Sequence, residues 1–174
     1  SACRGLIGLR FIFDQIERQL IAARTDAEPQ LRWGEGQLRR YREQLCWLAG
    51  QVQPPWSAAL DAELGSPFEL PDGTILLSAR VSAVVHRDTD PPMRTIRITR
   101  RCGGERFRPA RVRPSRPLKH LLQELGVPPW QREQLLLIWH NDELAAVLDG
   151  QSGRTLLQNE TLRGWHLSLS ARAC

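Results

Sequence analysis

Between Arg94 and His120 the chain carries nine arginines and one lysine against a single acid, Glu105. Such a segment cannot be folded inward as a whole. Each guanidinium buried without a partner costs on the order of several kcal/mol, and one carboxylate cannot pair with ten cations. The stretch is also interrupted by Gly103-Gly104 and by Pro109, Pro114 and Pro117. These breaks exclude one long helix or one continuous strand running through the segment, because proline removes a backbone donor and glycine weakens either element. The segment must therefore be a surface of turns and short elements, held by a core supplied from its flanks.

The charge is polarised along the chain. The whole sequence is +5, so everything outside this block is net acidic. Residues Gln51 to Met93 hold six acids and only Arg80 and Arg87 as bases. A concentrated basic block of this kind is the footprint of a polyanionic partner. Lys119 is the only lysine. Arginine in place of lysine suits bidentate phosphate contacts, and a GC-rich genome produces the same bias.

The hydrophobic share of 41% is enough for a core. No apolar run approaches the roughly 18 residues of a membrane span, and no secretory leader is visible. The start Ser-Ala-Cys, without methionine, reads as a boundary and not as a natural beginning. Cys3, Cys46, Cys102 and Cys174 lie far apart without a C-x-x-C pair, which argues for reduced thiols over zinc or a disulfide frame.

Apolar periodicity predicts an amphipathic helix over Leu9 to Ala23, ended before Pro29. Gln37 to Leu48 reads as one strand or as a helix with Leu38, Tyr41, Leu45 and Leu48 in line. The Gly34-Glu35-Gly36 turn favours a hairpin from Leu31-Trp33, and Arg39, Arg40 and Arg42 offer either a second phosphate contact or a solvated face of paired charges. Ala49 to Pro71 reads as a connector, with Trp56 packing on a neighbouring domain or at the start of the second one. Phe68 to Leu77 reads as strand, Pro-Asp-Gly turn and strand, followed by a strand over Arg80 to Val85. His86 to Pro92 reads as a polar loop and not a metal site. Thr95 to Arg101 alternates, with Ile96 and Ile98 inward and Arg97 and Thr99 outward. A helix over Pro117 to Leu125 follows, with Ser115 as cap, Leu118, Leu121, Leu122 and Leu125 as its core stripe, and Gly126 as its end. Trp130 to Glu133 is a short helical turn. Leu135 to His140 and Leu144 to Leu148 form a hairpin around Asn141-Asp142-Glu143, and Leu162 to Leu169 is the last strand.

The fold class expected is therefore α+β: a small helical and hairpin domain over 1–50, a connector with first strands over 51–93, and a mostly antiparallel sheet with a packed helix over 94–174. The sequence holds no phosphate-binding glycine loop, nucleophile motif or carboxylate pair, and its four histidines are isolated, so no catalytic residue and no metal site is assigned.

The motifs nevertheless form an ordered set. Arg101-Cys102-Gly103-Gly104-Glu105-Arg106-Phe107-Arg108-Pro109 is followed by Leu118-Lys119 with Leu121-Leu122-Gln123-Glu124. Then come Gly126-Val127-Pro128-Pro129-Trp130 with Arg132, and Asp142-Glu143-Leu144-Ala145-Ala146-Val147. This order resembles the C-terminal domain of the bacterial tRNA(Ile)-lysidine synthase family. Ala22-Ala23-Arg24-Thr25-Asp26-Ala27 and Leu38-Arg39-Arg40-Tyr41-Arg42 resemble that family's helical substrate-recognition domain. The chain departs from the family at Leu136 (usually proline), at Asn141 (usually glycine), at Leu148-Asp149-Gly150 (usually Pro-Gly), and in Ala110 to Pro117, which lacks the family's glycines.

The resemblance implies a tRNA-binding, cytoplasmic fragment of an ATP-dependent ligase that joins lysine to C2 of the wobble cytidine of an isoleucine tRNA with a CAU anticodon. The family's S-G-G-x-D-S loop, which uses ATP and magnesium in an N-terminal domain, is not in this sequence, so the fragment alone is expected to bind and not to ligate. The implied partners are the tRNA(Ile) acceptor stem and backbone and the enzyme's own catalytic domain, with no membrane; a homodimer is left open. The expected RNA contacts are Arg100, Arg101, Arg106, Arg108, Arg111, Arg113, Arg116 and Lys119, with Arg39, Arg40 and Arg42 upstream, and Glu105 orienting an arginine. The alternative reading is a freestanding basic module for other RNA or for a protein.

Overall fold

The computed structural model describes residues 14–22, 29–33, 36–42, 44–49, 56–81 and 95–170. The chain divides into two compact units, Ser1–Gln53 and Pro54–Cys174. The part of the expected Arg80 to Val85 strand from Ser82 onward, and the loop from His86 to Pro92, lie outside the described residues.

In the first unit, the described part of the expected amphipathic helix is wound as a π-helix over Ile16–Ile21, closed by the Ala22 N–H on the Glu17 carbonyl. Leu20 is its buried residue. Three antiparallel strands follow: β1 (Gln30–Trp33), β2 (Gly36–Tyr41) and β3 (Gln44–Ala49). The single strand expected over Gln37 to Leu48 is thus two strands. The chain reverses at Arg42, whose φ of 55° is left-handed, and Tyr41 pairs back onto Gln44. Gly36 admits this packing because the Trp47 indole lies over it; a β-carbon there would fall 2.1 Å from the ring.

The second unit is α+β. Its central sheet has five strands in the order β12-β11-β10-β7-β4, all antiparallel. They are β4 (Leu60–Glu63), β7 (Thr95–Arg100), β10 (Leu136–His140), β11 (Glu143–Leu148) and β12 (Thr155–Gln158). A second sheet joins β5 (Phe68–Glu69), β6 (Ile75–Arg80) and β13 (Trp165–Ser170). A short ladder pairs β8 (Arg106–Phe107) with β9 (Arg116–Pro117). The helices are α1 (Leu118–Glu124) and α2 (Pro129–Arg132).

The central sheet is covered on both faces. Ile96, Ile98, Leu136 and Ile138 pack with Leu76 and Leu167 of the second sheet, while Leu137 and Val147 pack with Phe107, Leu118 and Leu122 on the helix side. This two-sided burial explains why Leu135 to Ile138 is a continuous apolar run and not an alternation. A bulge inserts Ala145, so that Trp139 pairs with Leu144 and Ile138 with Ala146; Ala145 and Ala146 then enter the same cluster.

Several expectations change. β4 arises inside the stretch read as a connector. Arg80 closes β6, so it does not begin a new strand there. β12 is an addition, and the last strand starts at Trp165, after a 3₁₀ turn over Glu160–Leu162. Helix α1 starts at Leu118 with Pro117 as its N-cap and no side-chain cap, so Ser115 does not cap it. Leu125 is exposed, not part of the stripe, because it stands at the C-cap beyond the sheet-facing side. The helix ends as expected: Gly126 (φ 72°) donates to the Gln123 carbonyl and Val127 to the Leu122 carbonyl, a Schellman closure with Val127 and Leu122 in one cluster. The hairpin turn has Asn141 and Asp142 both left-handed, φ 47° and 62°. Asparagine tolerates this region, which accommodates a residue where the family usually has glycine.

Candidate nucleic-acid interface

The basic segment leaves the central sheet at Arg100 and enters a turn whose two glycines, Gly103 and Gly104, have φ of 95° and 82°. Two successive left-handed residues without a β-carbon penalty let the backbone fold round a carboxylate. Glu105 Oε1 accepts from the Cys102 and Gly103 N–H groups, both at 2.6 Å, while its Oε2 faces Arg101 Nε at 3.4 Å. The Glu105 side chain is 7% exposed. Glu105 therefore orients an arginine, as expected, and also holds the turn.

β8 and β9 then bring Arg106 and Arg116 to the two sides of a loop. Arg106 donates from Nε to Ser115 Oγ at 3.0 Å and from Nη2 to the Ser115 carbonyl at 2.6 Å. The loop between them turns at Ala110, whose carbonyl accepts from Arg113 N–H at 2.9 Å, and is tied down where Arg111 N–H donates to Glu160 Oε2 at 3.3 Å. Phe107 is buried beneath it, and the Glu105 carbonyl accepts from Leu118 N–H at 2.8 Å, joining the turn to the start of α1. The loop is thus fixed at its turn, at its base and at Glu160.

On this frame the expected contacts separate into groups. Arg108, Arg111, Arg113 and Lys119 are exposed, and among the described residues their side chains hold no partner. Arg106 is exposed but bonded to Ser115. Arg116 is exposed and bidentate on Glu124, the last residue of α1. The hydrogen bond between them raises the Arg116 pKa and lowers that of Glu124. Arg101 is half-buried against Glu105.

Arg100 is a correction. It is 9% exposed, on the core-facing side of β7 with Ile96 and Ile98. Its Nη2 donates to Asp72 Oδ2 at 2.9 Å, its Nη1 to the Gln134 carbonyl at 2.5 Å, and its guanidinium lies 5.0 Å from the Trp56 ring centre. Burial is the largest influence on it and lowers its pKa; the charge of Asp72 and the hydrogen bond to it act in the other direction. Arg100 is a structural residue of the second unit, which also gives Trp56 its place. Thr99, expected outward, is half-buried because the helix-side layer covers that face, and it accepts from Trp139 Nε1 at 2.8 Å.

The upstream arginines belong to the other unit and do not form one cluster within it. Arg39 donates to Gln37 Oε1 at 2.9 and 3.1 Å, Arg40 Nη1 donates to the Ile21 carbonyl at 2.7 Å, and Arg42 stacks 5.3 Å from the Tyr41 ring centre. Adjacent positions on β2 point to opposite faces, so Arg39 and Arg40 cannot share one phosphate path.

Comparison with known proteins bears on the same two regions. The family described as TilS substrate C-terminal domain matches residues 96–169, and the one described as TilS substrate binding domain matches residues 12–46. This chain carries the substrate-binding and C-terminal domains of the TilS family. The tRNA(Ile)-lysidine synthase of Xylella fastidiosa is 35% identical over 137 residues, covering 77% of this chain and 30% of that protein. That of Serratia proteamaculans is 35% identical over 139 residues, covering 78% and 31%. That of Photorhabdus laumondii is 33% identical over 163 residues, covering 87% and 34%. The chain thus spans about a third of the length of these relatives, in keeping with a C-terminal part of such a protein. A crystal structure of a TilS C-terminal domain is 17% identical with a TM-score of 0.37, covering 67% of this chain and all of that one.

Sequence reasoning missed three acids that brace the second unit. Asp72 fixes Arg100. Asp149, 4% exposed, accepts from Gln151 N–H at 3.1 Å, Ser152 Oγ at 2.5 Å and Gln131 Nε2 at 2.8 Å, and so braces α2 against the loop after β11. Glu160 holds the arginine loop from 49 residues away in sequence. For Arg100 a signal was present, since its parity on β7 is that of Ile96 and Ile98. For Asp72 and Glu160 none was, because their partners are fixed only by the fold. Among the described residues no group of His, Cys, Asp and Glu is arranged to hold a metal, and no helix is long and apolar enough to cross a membrane.

Proposed function

We propose that this chain holds an isoleucine tRNA for a lysidine-forming ligase, gripping the sugar-phosphate backbone through Arg108, Arg111, Arg113 and Lys119. The observation that carries this reading is the grouping of four exposed cations, without partners among the described residues, on one braced loop and the helix start beside it. A-form RNA offers phosphates and 2′-hydroxyls to such a surface, while its deep groove excludes side chains. Cations on a loop that is already fixed lose little further freedom on meeting phosphate. Arg106 and Arg101 serve as flanking contacts, and Arg39, Arg40 and Arg42 of the first unit serve as further single contacts and not as one patch. The acceptor stem is the part of the tRNA that the family resemblance favours.

The chemistry proposed for the whole protein is that of its relatives: adenylylation of the wobble cytidine with ATP and magnesium, then displacement of AMP by the lysine amine at C2. Those steps fall to an N-terminal domain carrying S-G-G-x-D-S, and the setting is the cytoplasm. The chain's own contribution is to bind and orient.

A KCl series of tRNA(Ile) binding tests the reading. Affinity should fall steeply with salt. Replacing Arg111 and Arg113 by alanine should reduce the log–log slope by about 0.7–0.9 for each phosphate no longer neutralised. Affinity that ignores salt, or a slope unchanged in the double variant, overturns the proposal.

A further inference from the structure

Two carboxylates are held by donors of the basic segment, Glu105 within it and Glu124 just beyond it, and burial separates their roles. Glu105 fills a pocket of two backbone N–H groups and Arg101 with its side chain 7% exposed, so it cannot be exchanged without opening the turn. Glu124 is different. It receives both terminal nitrogens of Arg116, Nη1 reaching Oε2 at 3.2 Å and Nη2 reaching Oε1. The two side chains, Arg116 and Glu124, are 47% and 58% exposed.

A guanidinium fork accepts a carboxylate or a phosphate in the same bidentate geometry. Ion pairs exposed to water are weak, so an arriving phosphate can take the place of the carboxylate at small cost. Arg116 is also well placed. It lies on β9, two residues before α1 begins, and Lys119 is the second residue of that helix. Glu124, at the far end of α1, is the acid that occupies it.

We propose that Glu124 is an internal competitor for the RNA backbone, holding Arg116 in the fork geometry of a phosphate contact and yielding it when RNA is engaged by the neighbouring cations. The proposal rests on the RNA-binding reading above. It makes Glu124 a negative determinant of affinity for any RNA whose backbone takes Arg116, because that phosphate must first displace the carboxylate.

The test is a double-variant cycle on the 174-residue chain. Wild type, Glu124→Gln, Arg116→Ala and the double variant are titrated with tRNA(Ile) transcript across a KCl series. Glu124→Gln should tighten binding on the order of a few-fold and steepen the salt dependence by roughly one released ion. The gain should vanish when Arg116 is already alanine. An unchanged or weakened affinity for Glu124→Gln overturns the proposal. So does an equal gain with and without Arg116, which would mean a general charge effect. If wild type itself shows no salt-dependent binding, the RNA-binding reading falls first and this inference with it.

Discussion

Arg100 reaches Asp72 at 2.9 Å from the core-facing side of β7, tying the end of the central sheet to the Pro-Asp-Gly turn of the second sheet. The basic block therefore contains an arginine that the fold uses for itself. Asp72 in turn accepts Thr74 N–H at 3.0 Å through Oδ1, so one carboxylate shapes its own turn and neutralises the buried cation.

Replacing Arg100 by alanine should destabilise the second unit by about 2–4 kcal/mol, because Asp72 and the Gln134 carbonyl lose their donor and Trp56 its cation. Urea unfolding followed by Trp fluorescence measures this. The salt slope of tRNA binding should stay at the wild-type value. A reduced slope with unchanged stability would return Arg100 to the RNA-contact group.

Gly150 lies against the same cluster, and a β-carbon there would meet the Gln134 carbonyl oxygen at 2.1 Å and Arg100 Nη1 at 2.9 Å. Because the nearest obstacle is backbone, Gly150→Ala should cost about 1–3 kcal/mol. At Gly36 the nearest atoms to an added β-carbon are those of the Trp47 ring, at 2.1 Å, a half-exposed side chain and not backbone. The unfolding midpoint should fall more for Gly150→Ala, and equal midpoints would refute the assignment of Gly150 as a close-approach site.

Glu105→Ala removes the acceptor for Cys102 and Gly103 and the partner of Arg101 at once. Loss of these bonds should cost about 1–3 kcal/mol. Amide hydrogen exchange of residues 102–106 should accelerate, while the amides of β10 and β11 keep their protection. Unchanged exchange in the turn would show that the carboxylate does not hold it.

The Glu124–Arg116 pair predicts a pH dependence with a definite sign. Glu124 is held below its ordinary value of 4.5, chiefly by the hydrogen bond from Arg116. A depressed folded-state pKa gives stability that is present above the unfolded value and lost as pH falls through the lower folded one. Acid unfolding of Glu124→Gln should therefore lack that part of the descent and be shallower below the ordinary carboxylate range. Near neutral pH the difference between the two chains should be constant, and a difference that changes there would contradict the assignment.

Much of the second unit was legible in the sequence. The Leu135 to Leu148 hairpin shows in apolar runs around two residues that tolerate left-handed backbone. The end of α1 shows in Gly126, and the outer character of the arginine loop in its charge. Each of these is set by local chemistry. The reversal at Arg42 was not legible, because arginine carries no turn signal and its left-handed φ is imposed by strand pairing. Nor was β4, whose Leu60–Glu63 becomes a strand only by pairing with β7.

By itself the sequence determined that a block of ten cations between two apolar flanks must lie mainly at the surface, because one acid cannot neutralise them in a core. It also determined where α1 stops and where the main hairpin turns. Only the tertiary structure decided how those cations are divided. Arg100 is consumed by Asp72, Arg101 is held by Glu105, and Arg116 is lent to Glu124, while Arg108, Arg111, Arg113 and Lys119 are left to solvent. The reason is geometric. An ion pair depends on distances of a few ångströms, and chain folding sets those between residues such as Asp72 and Arg100, 28 positions apart.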